Sequence, residues 1–178
     1  MTKLKVPVGP ADHIQGDGNA PCTLVEYGDY ECPHCGSAYP IVKRLQKHFG
    51  KRLRFVYRNF PLSQIHPHAE SAAETAEFAA SKGKFWEMHD LLFENQTQLG
   101  IGVYAKLADE LGLSAAELEQ ALSSRTYQAR VRSDFAGGVR SGVNGTPTFF
   151  INGERYDDSF DYPTFVGTID AIISSSPE

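Results

Sequence analysis

The stretch Cys22-Thr23-Leu24-Val25-Glu26-Tyr27-Gly28-Asp29-Tyr30-Glu31-Cys32-Pro33-His34-Cys35 carries more information about the fold than any other in this chain. It opens with an apolar, β-branched and aromatic run bounded by Pro21 and Gly28, the pattern of a buried strand. It closes on two cysteines separated by two residues, and from Cys35 onward Ala38, Ile41, Val42, Leu45 and Phe49 recur at helical spacing until Gly50 supplies a stop. A helix therefore begins at the cysteines. Leu53-Arg54-Phe55-Val56-Tyr57-Arg58 then alternates with period two, which puts Leu53, Phe55 and Tyr57 on one face of a second strand. Strand, helix and strand in this order imply a parallel pair joined by a right-handed crossover.

Working outward, residues 1–20 contain Pro7, Gly9, Pro10, Gly16 and Gly18 without a sustained period and read as an irregular lead-in. The first part of an α/β core is expected over 21–62. From His66 to Gly138 the only Val or Ile residues are Ile101, Val103 and Val131, while Ala, Glu and Leu dominate, which is helical composition. Helices are expected over about 67–81, 85–96, 103–111, 115–122 and 127–139, the fourth with a capping box at Ser114 and Glu117. A structureless loop of this length does not fit a compact domain, so 63–143 is expected to be an inserted all-helical subdomain. The core resumes over 144–178 with a hairpin, Thr148 to Ile151 and Glu154 to Tyr156 about the turn Asn152-Gly153, then a helix over 162–173. The expected fold is α/β, a βαβ unit followed by ββα, with helices inserted between them.

Composition limits the function. The chain has 178 residues, a net charge of −5, 41% hydrophobic residues and three cysteines. That length supports a real core without disulfide staples. The acidic balance argues against nucleic acid or an anionic membrane as partner, because neither meets a basic surface here. No run approaches the ~18 apolar residues of a membrane span, and the opening Met1-Thr2-Lys3-Leu4-Lys5-Val6-Pro7 lacks the apolar region of a signal peptide. A cytoplasmic address follows, or a periplasmic or other extracytoplasmic one if a leader has been removed. Three cysteines are too few for a secreted scaffold.

The chemistry resides in Cys32-Pro33-His34-Cys35. Proline favours the first helical position, so Pro33 puts Cys32 at the N-cap, where its sulfur faces the unpaired N–H groups of His34 and Cys35 and the positive end of the helix dipole. Both favour thiolate over thiol, and helix-start cysteines of this kind have pKa values depressed into the range of roughly 3.5 to 7.5. A protonated His34 would add to the effect. Cys35, one turn on, can close a disulfide with Cys32 or resolve a mixed one. The reaction inferred is thiol–disulfide exchange, with Cys32 as the attacking sulfur and no metal or cofactor. Cys22 reads as a small buried residue.

Other readings remain open. Two cysteines with two residues between them are also half a zinc site, and a metal-binding or regulatory module would need Cys22, His66 or His68 to complete four ligands. A glutathione-handling isomerase on a related fold would not need both cysteines. A c-type haem is excluded because Gly36, not His, follows Cys35. Glu26, in an otherwise apolar strand, is either a buried carboxyl with a raised pKa suited to moving the proton of Cys35 or a strand-end carboxylate reaching solvent. Tyr27, Tyr30, Tyr39, Phe60 and Phe149 are candidate walls of the site or core, and Trp86 and Met88 read as packing.

Taken together, Glu26, the Cys32-Pro33-His34-Cys35 helix start, the long helical insert and Gly145-Thr146-Pro147-Thr148-Phe149-Phe150-Ile151-Asn152-Gly153 resemble the DsbA-like branch of the thioredoxin superfamily over about residues 12–175. The nearest resemblance is to small bacterial proteins of this branch, some cytoplasmic or fused to transporters. The resemblance implies a thioredoxin fold and a protein disulfide oxidoreductase acting on cysteines of protein or peptide substrates, with a redox recycling partner. It implies that Pro147 is the family's cis-proline, opposite the cysteine pair, and that the backbone of Thr146 pairs with an extended substrate. It favours proton transfer for Glu26. The family often sets a lysine near this acid on the second strand; here the candidates are Arg54 and Arg58.

Overall fold

The structure, a computed structural model, describes residues 2–177, so Met1 and Glu178, the ends of the first and last segments, lie outside it. The βαβ unit consists of β2 (Cys22–Gly28), α1 (Pro33–Phe49) and β3 (Leu53–Asn59), with β2 and β3 parallel and Glu26 in register with Tyr57. Before it runs β1 (His13–Gln15), antiparallel to β3. Five helices separate β3 from β4: α2 (Ala69–Ser81), α3 (Phe85–Glu94), α4 (Ile101–Glu110), α5 (Ala115–Ser123) and α6 (Gln128–Arg140). The chain then forms the hairpin β4 (Thr148–Ile151) and β5 (Glu154–Tyr156) and ends in α7 (Tyr162–Ser175). The sheet order is β1-β3-β2-β4-β5, with β4 antiparallel to β2.

Local chemistry accounts for the boundaries. Ser114 caps α5 by accepting from the Glu117 N–H at 3.2 Å, and Asp161 caps α7 by accepting from the Thr164 N–H at 3.0 Å. Asn152 and Gly153 both have positive φ, 49° and 83°, as a type I′ hairpin turn requires. Expectation and structure part in three places. The lead-in expected to be irregular contains β1, whose three residues carry no readable period and become a strand only because the edge of β3 offers them partners. Glu94 ends α3, and a separate 3₁₀ turn covers Gln96–Gln98. On β3 the expected alternation of buried and exposed residues fails, since Val56 and Arg58 are buried as well as Phe55 and Tyr57. Helices cover both faces of the sheet, so period two does not distinguish inside from outside there.

Two cores result. One face of the sheet, with Leu24, Phe55 and Tyr57, packs on α1, α7 and the inserted helices in a cluster that includes Cys32, Cys35, Ala72, Met88, Leu92, Tyr104 and Phe165. The other face, with Val25, Tyr27, Val56, Phe60 and Phe150, packs on Phe135 of α6 and on Leu4, Val8 and Ile14 of the lead-in.

Candidate active site

The cysteine pair sits where β2 ends and α1 begins. Pro33 is the first residue of the helix and Cys32 its N-cap, in extended conformation at φ −68° and ψ 122°. The Cys32 N–H donates to the Asp29 carbonyl at 3.1 Å, and the Gly36 N–H donates to the Cys32 carbonyl at 3.0 Å, the first bond of the helix. Both cysteines are reduced and buried, Cys32 at 4% exposure and Cys35 at 0%.

Their surroundings pull the two sulfurs apart chemically. Cys32 is lowered from 9.0 to about 5, chiefly by a hydrogen bond from the Cys35 thiol, with help from the Thr146 side chain and the backbone N–H groups of Cys35 and His34, all acting against burial. Burial foremost, then the role of donor to Cys32 and the charges of Glu26 and Cys32, push Cys35 well above the ordinary thiol range. At neutral pH the geometry favours a thiolate at 32 and a thiol at 35. His34 and Pro33 are exposed, and the lowering at Cys32 uses the backbone N–H of His34. The Thr146–Pro147 peptide is cis, and Cys32 Sγ lies 3.5 Å from the Thr146 carbonyl oxygen, so the segment before β4 lies against this sulfur.

Glu26 is 2% exposed, and its Oε1 has no hydrogen-bond partner. Its side chain shares a sheet face with Tyr57 and Phe149, its partners in register on β3 and β4. Burial foremost, then the charge on Cys32, raises its pKa from 4.5 to about 8, so at neutral pH it is a carboxylic acid. Neither arginine candidate joins it. Arg54 donates to Thr23 Oγ1 at 3.0 Å, and Arg58 pairs with Asp12 at 2.8 Å and donates to the Tyr27 hydroxyl at 2.8 Å; Thr23 and Tyr27 lie on the opposite face of β2. Odd and even positions of a strand face opposite ways, and residues 54 and 58 fall on the wrong parity.

The aromatic candidates divide along the same line. Tyr30 and Phe149 belong to the core on the cysteine side, with Tyr39 packed against it, whereas Tyr27 and Phe60 belong to the opposite core. Cys22 is fully buried and pushed up to about 11 by burial, an inert thiol. His66 is held by Asp29 at 2.7 Å, and the His68 N–H donates to the Glu31 carboxylate. Among the described residues no three His, Cys, Asp or Glu side chains converge in a way that could hold a metal ion.

Several side chains here carry no sequence motif. Asp29, 2% exposed, accepts from the N–H groups of Glu31 and Leu62, both at 2.8–2.9 Å, and so ties the loop after β3 to the cysteine loop. The Tyr30 hydroxyl bonds to His89 Nδ1 at 3.0 Å inside an aromatic cluster, where burial holds His89 neutral. Gln96, 64 residues from Cys32, donates to its carbonyl. One signal was available for Gln96: Gly36 occupies the first turn of a helix, where glycine is a poor choice unless something approaches closely.

The family described as thioredoxin matches residues 9–171 of the chain. A relative named Na(+)/H(+) antiporter NhaA 1, from Salinispora arenicola, is 45% identical over 158 residues, covering 88% of this chain and 24% of that protein. The chain spans about a quarter of the length of the curated relatives it matches. Among solved structures, BdbD from Bacillus subtilis superposes with a TM-score of 0.83 at 25% identity, over 91% of this chain and 92% of that one. Alpha-DsbA1 from Wolbachia pipientis, 18% identical, superposes with a TM-score of 0.82 over 96% and 94%.

Proposed function

Because this chain belongs to the thioredoxin family, in its DsbA-like branch, and shares the thiol–disulfide oxidoreductase chemistry of that branch, we propose that it exchanges a Cys32–Cys35 disulfide with cysteines of protein or peptide substrates. The observation that carries this reading is the opposite protonation of the two sulfurs: a thiolate at 32 beside a cis Thr146–Pro147 segment, and a thiol at 35 with a buried neutral carboxyl nearby.

In the oxidising direction a substrate thiolate attacks Cys32 Sγ of the disulfide. The Cys32–Cys35 bond breaks as the substrate–Cys32 bond forms, and Cys35 leaves as a thiolate that takes the proton of Glu26. A second substrate thiolate then attacks the substrate sulfur of the mixed disulfide and expels Cys32 as a stable thiolate. Two electrons pass from the substrate dithiol to the pair. A recycling partner reoxidises it. The backbone of Thr146 aligns an extended substrate by strand addition, and Pro33 and His34 form the exposed rim. A leaving group this acidic makes the disulfide an oxidant, with a potential above the roughly −270 mV of thioredoxin. That direction suits an extracytoplasmic compartment, where disulfides persist. No helix among the described residues is long and apolar enough to cross a membrane.

With a disulfide-bonded cysteine peptide and mass spectrometry, Cys35→Ser should accumulate a mixed disulfide at Cys32, one peptide sulfur leaving as a thiolate, and Cys32→Ser should form none. Full insulin-reducing activity in both single variants would rule the mechanism out.

A further inference from the structure

The Gln96 amide stands over the cysteine loop. Its Nε2 donates to the Tyr30 carbonyl at 2.9 Å and to the Cys32 carbonyl at 2.8 Å. Both partners are acceptors only, so the nitrogen must face them. Its Oε1 lies over Gly36, where a Cβ would collide with it. The amide thus spans the chain before the helix and the first helical turn, from a 3₁₀ turn that belongs to the inserted helices.

We propose that Gln96 is a positioning residue through which the inserted helices hold the Cys32 end of α1 in its reactive geometry. The proposal rests on the reading of Cys32 as the attacking sulfur. An N-cap is the half-anchored residue of a helix, tied into it by its carbonyl alone; the N–H of Cys32 is held from outside the helix, by the Asp29 carbonyl. The Cys32 sulfur faces the N–H groups of His34 and Cys35 without closing a full cap bond to either. The only bond from within the helix to the Cys32 carbonyl comes from Gly36, and Gln96 supplies a second from outside. Two donors fix the peptide that sets the sulfur over the N–H groups of His34 and Cys35. Without Gln96 the cap frays, those groups swing away from the sulfur, and the thiolate loses part of its stabilisation. Gly36 serves the same device: it leaves room for the amide.

The test compares the pH dependence of Cys32 alkylation and the rate of exchange with a cysteine peptide in the full chain and in variants. Gln96→Met and Gln96→Ala should raise the alkylation midpoint by about half a unit to one unit, the scale on which hydrogen bonds to a charged group act, and slow exchange at pH 6 several-fold. Gly36→Ala should shift the midpoint in the same direction by displacing the amide. In a Gln96→Ala background, where the space is vacated, Gly36→Ala should add nothing further. Ser114→Ala, which loses the cap of α5, should lower thermal stability and leave the midpoint alone, separating positioning from general destabilisation. Wild-type midpoints in the Gln96 variants, or shifts that simply add in the double variant, would overturn the inference while leaving the exchange reaction standing. Failure of Cys35→Ser to trap any mixed disulfide would instead remove the reading beneath it, and the inference with it.

Discussion

At Glu26 burial is opposed by nothing that would keep the carboxylate charged: among the described residues no arginine or lysine reaches it, one oxygen has no partner, and Cys32 bears the charge nearest in effect. A group in that position is an acid at neutral pH, the form that the proposed exchange requires of a proton donor to Cys35. The same raised pKa affects stability. Between pH 4.5 and about 8 the unfolded chain has released this proton and the folded chain still holds it, so the contribution of Glu26 is fully present below 4.5 and is lost as pH rises through 8. Each unit is worth about 1.4 kcal/mol, so the decline should reach a few kcal/mol. The lowered Cys32 thiol pulls the other way over the same window, so Glu26→Gln should leave stability rising from pH 5 to pH 8 relative to the parent, and urea denaturation of both reduced proteins at those pH values measures the difference. Parallel curves for the variant and the parent would contradict this account. The strand position and oddness of Glu26 were readable from its apolar neighbours; the absence of a counter-ion was not, because strand parity sends Arg54 and Arg58 to the other face.

At the scale of elements, the helix start at the cysteines and the Asn152-Gly153 hairpin were legible because proline, glycine and asparagine act locally on φ and ψ. The packing of α6 was not. Gly138 lies in the interior of that helix, where glycine normally costs about 1 kcal/mol against alanine. Here a Cβ would meet Phe60 Cδ2 at 2.7 Å and Tyr27 Cδ1 at 3.0 Å, and Phe60 is itself stacked on Phe135 with ring centroids 4.2 Å apart. Glycine lets the helix approach the sheet. Gly102 in α4 has nothing within 4 Å of its Cβ position. Gly138→Ala should therefore destabilise by roughly 1–3 kcal/mol, the cost of overpacking, while Gly102→Ala should stabilise by about 0.5–1 kcal/mol. Thermal denaturation of the pair decides it; a stabilising Gly138→Ala would mean that α6 can withdraw from the sheet.

On the scale of the whole molecule, the inserted helices and the α/β core share one hydrophobic cluster, in which Met88, Leu92 and Tyr104 pack with Cys35, Phe55 and Phe165. The lead-in is bound in as well. Arg58, 3% exposed, pairs with Asp12 and donates to the carbonyls of Val6 and Pro7, and Trp86 Nε1 of α3 donates to the Ile14 carbonyl at 3.3 Å. An insert so joined should not unfold by itself. Trp86, the single tryptophan, lies 5.7 Å from the Phe55 ring and reports on the contact between insert and sheet. Its fluorescence and the far-ultraviolet circular dichroism should change at the same urea concentration, and separate midpoints would show that the insert unfolds independently.

The sequence alone determined what depends on neighbours along the chain: the strand before the cysteines, the helix they begin, the hairpin turn and the helical character of residues 66–138. Those features follow from side-chain periodicity and from backbone preferences that act over a few residues. Tertiary structure alone decided which groups converge on the sulfurs. Gln96 reaches the Cys32 carbonyl from 64 residues away, and the solitude of Glu26 depends on how two strands pair. Such contacts carry no period and no motif, because a hydrogen bond between distant residues depends on geometry that exists only once the sheet and the helices have packed.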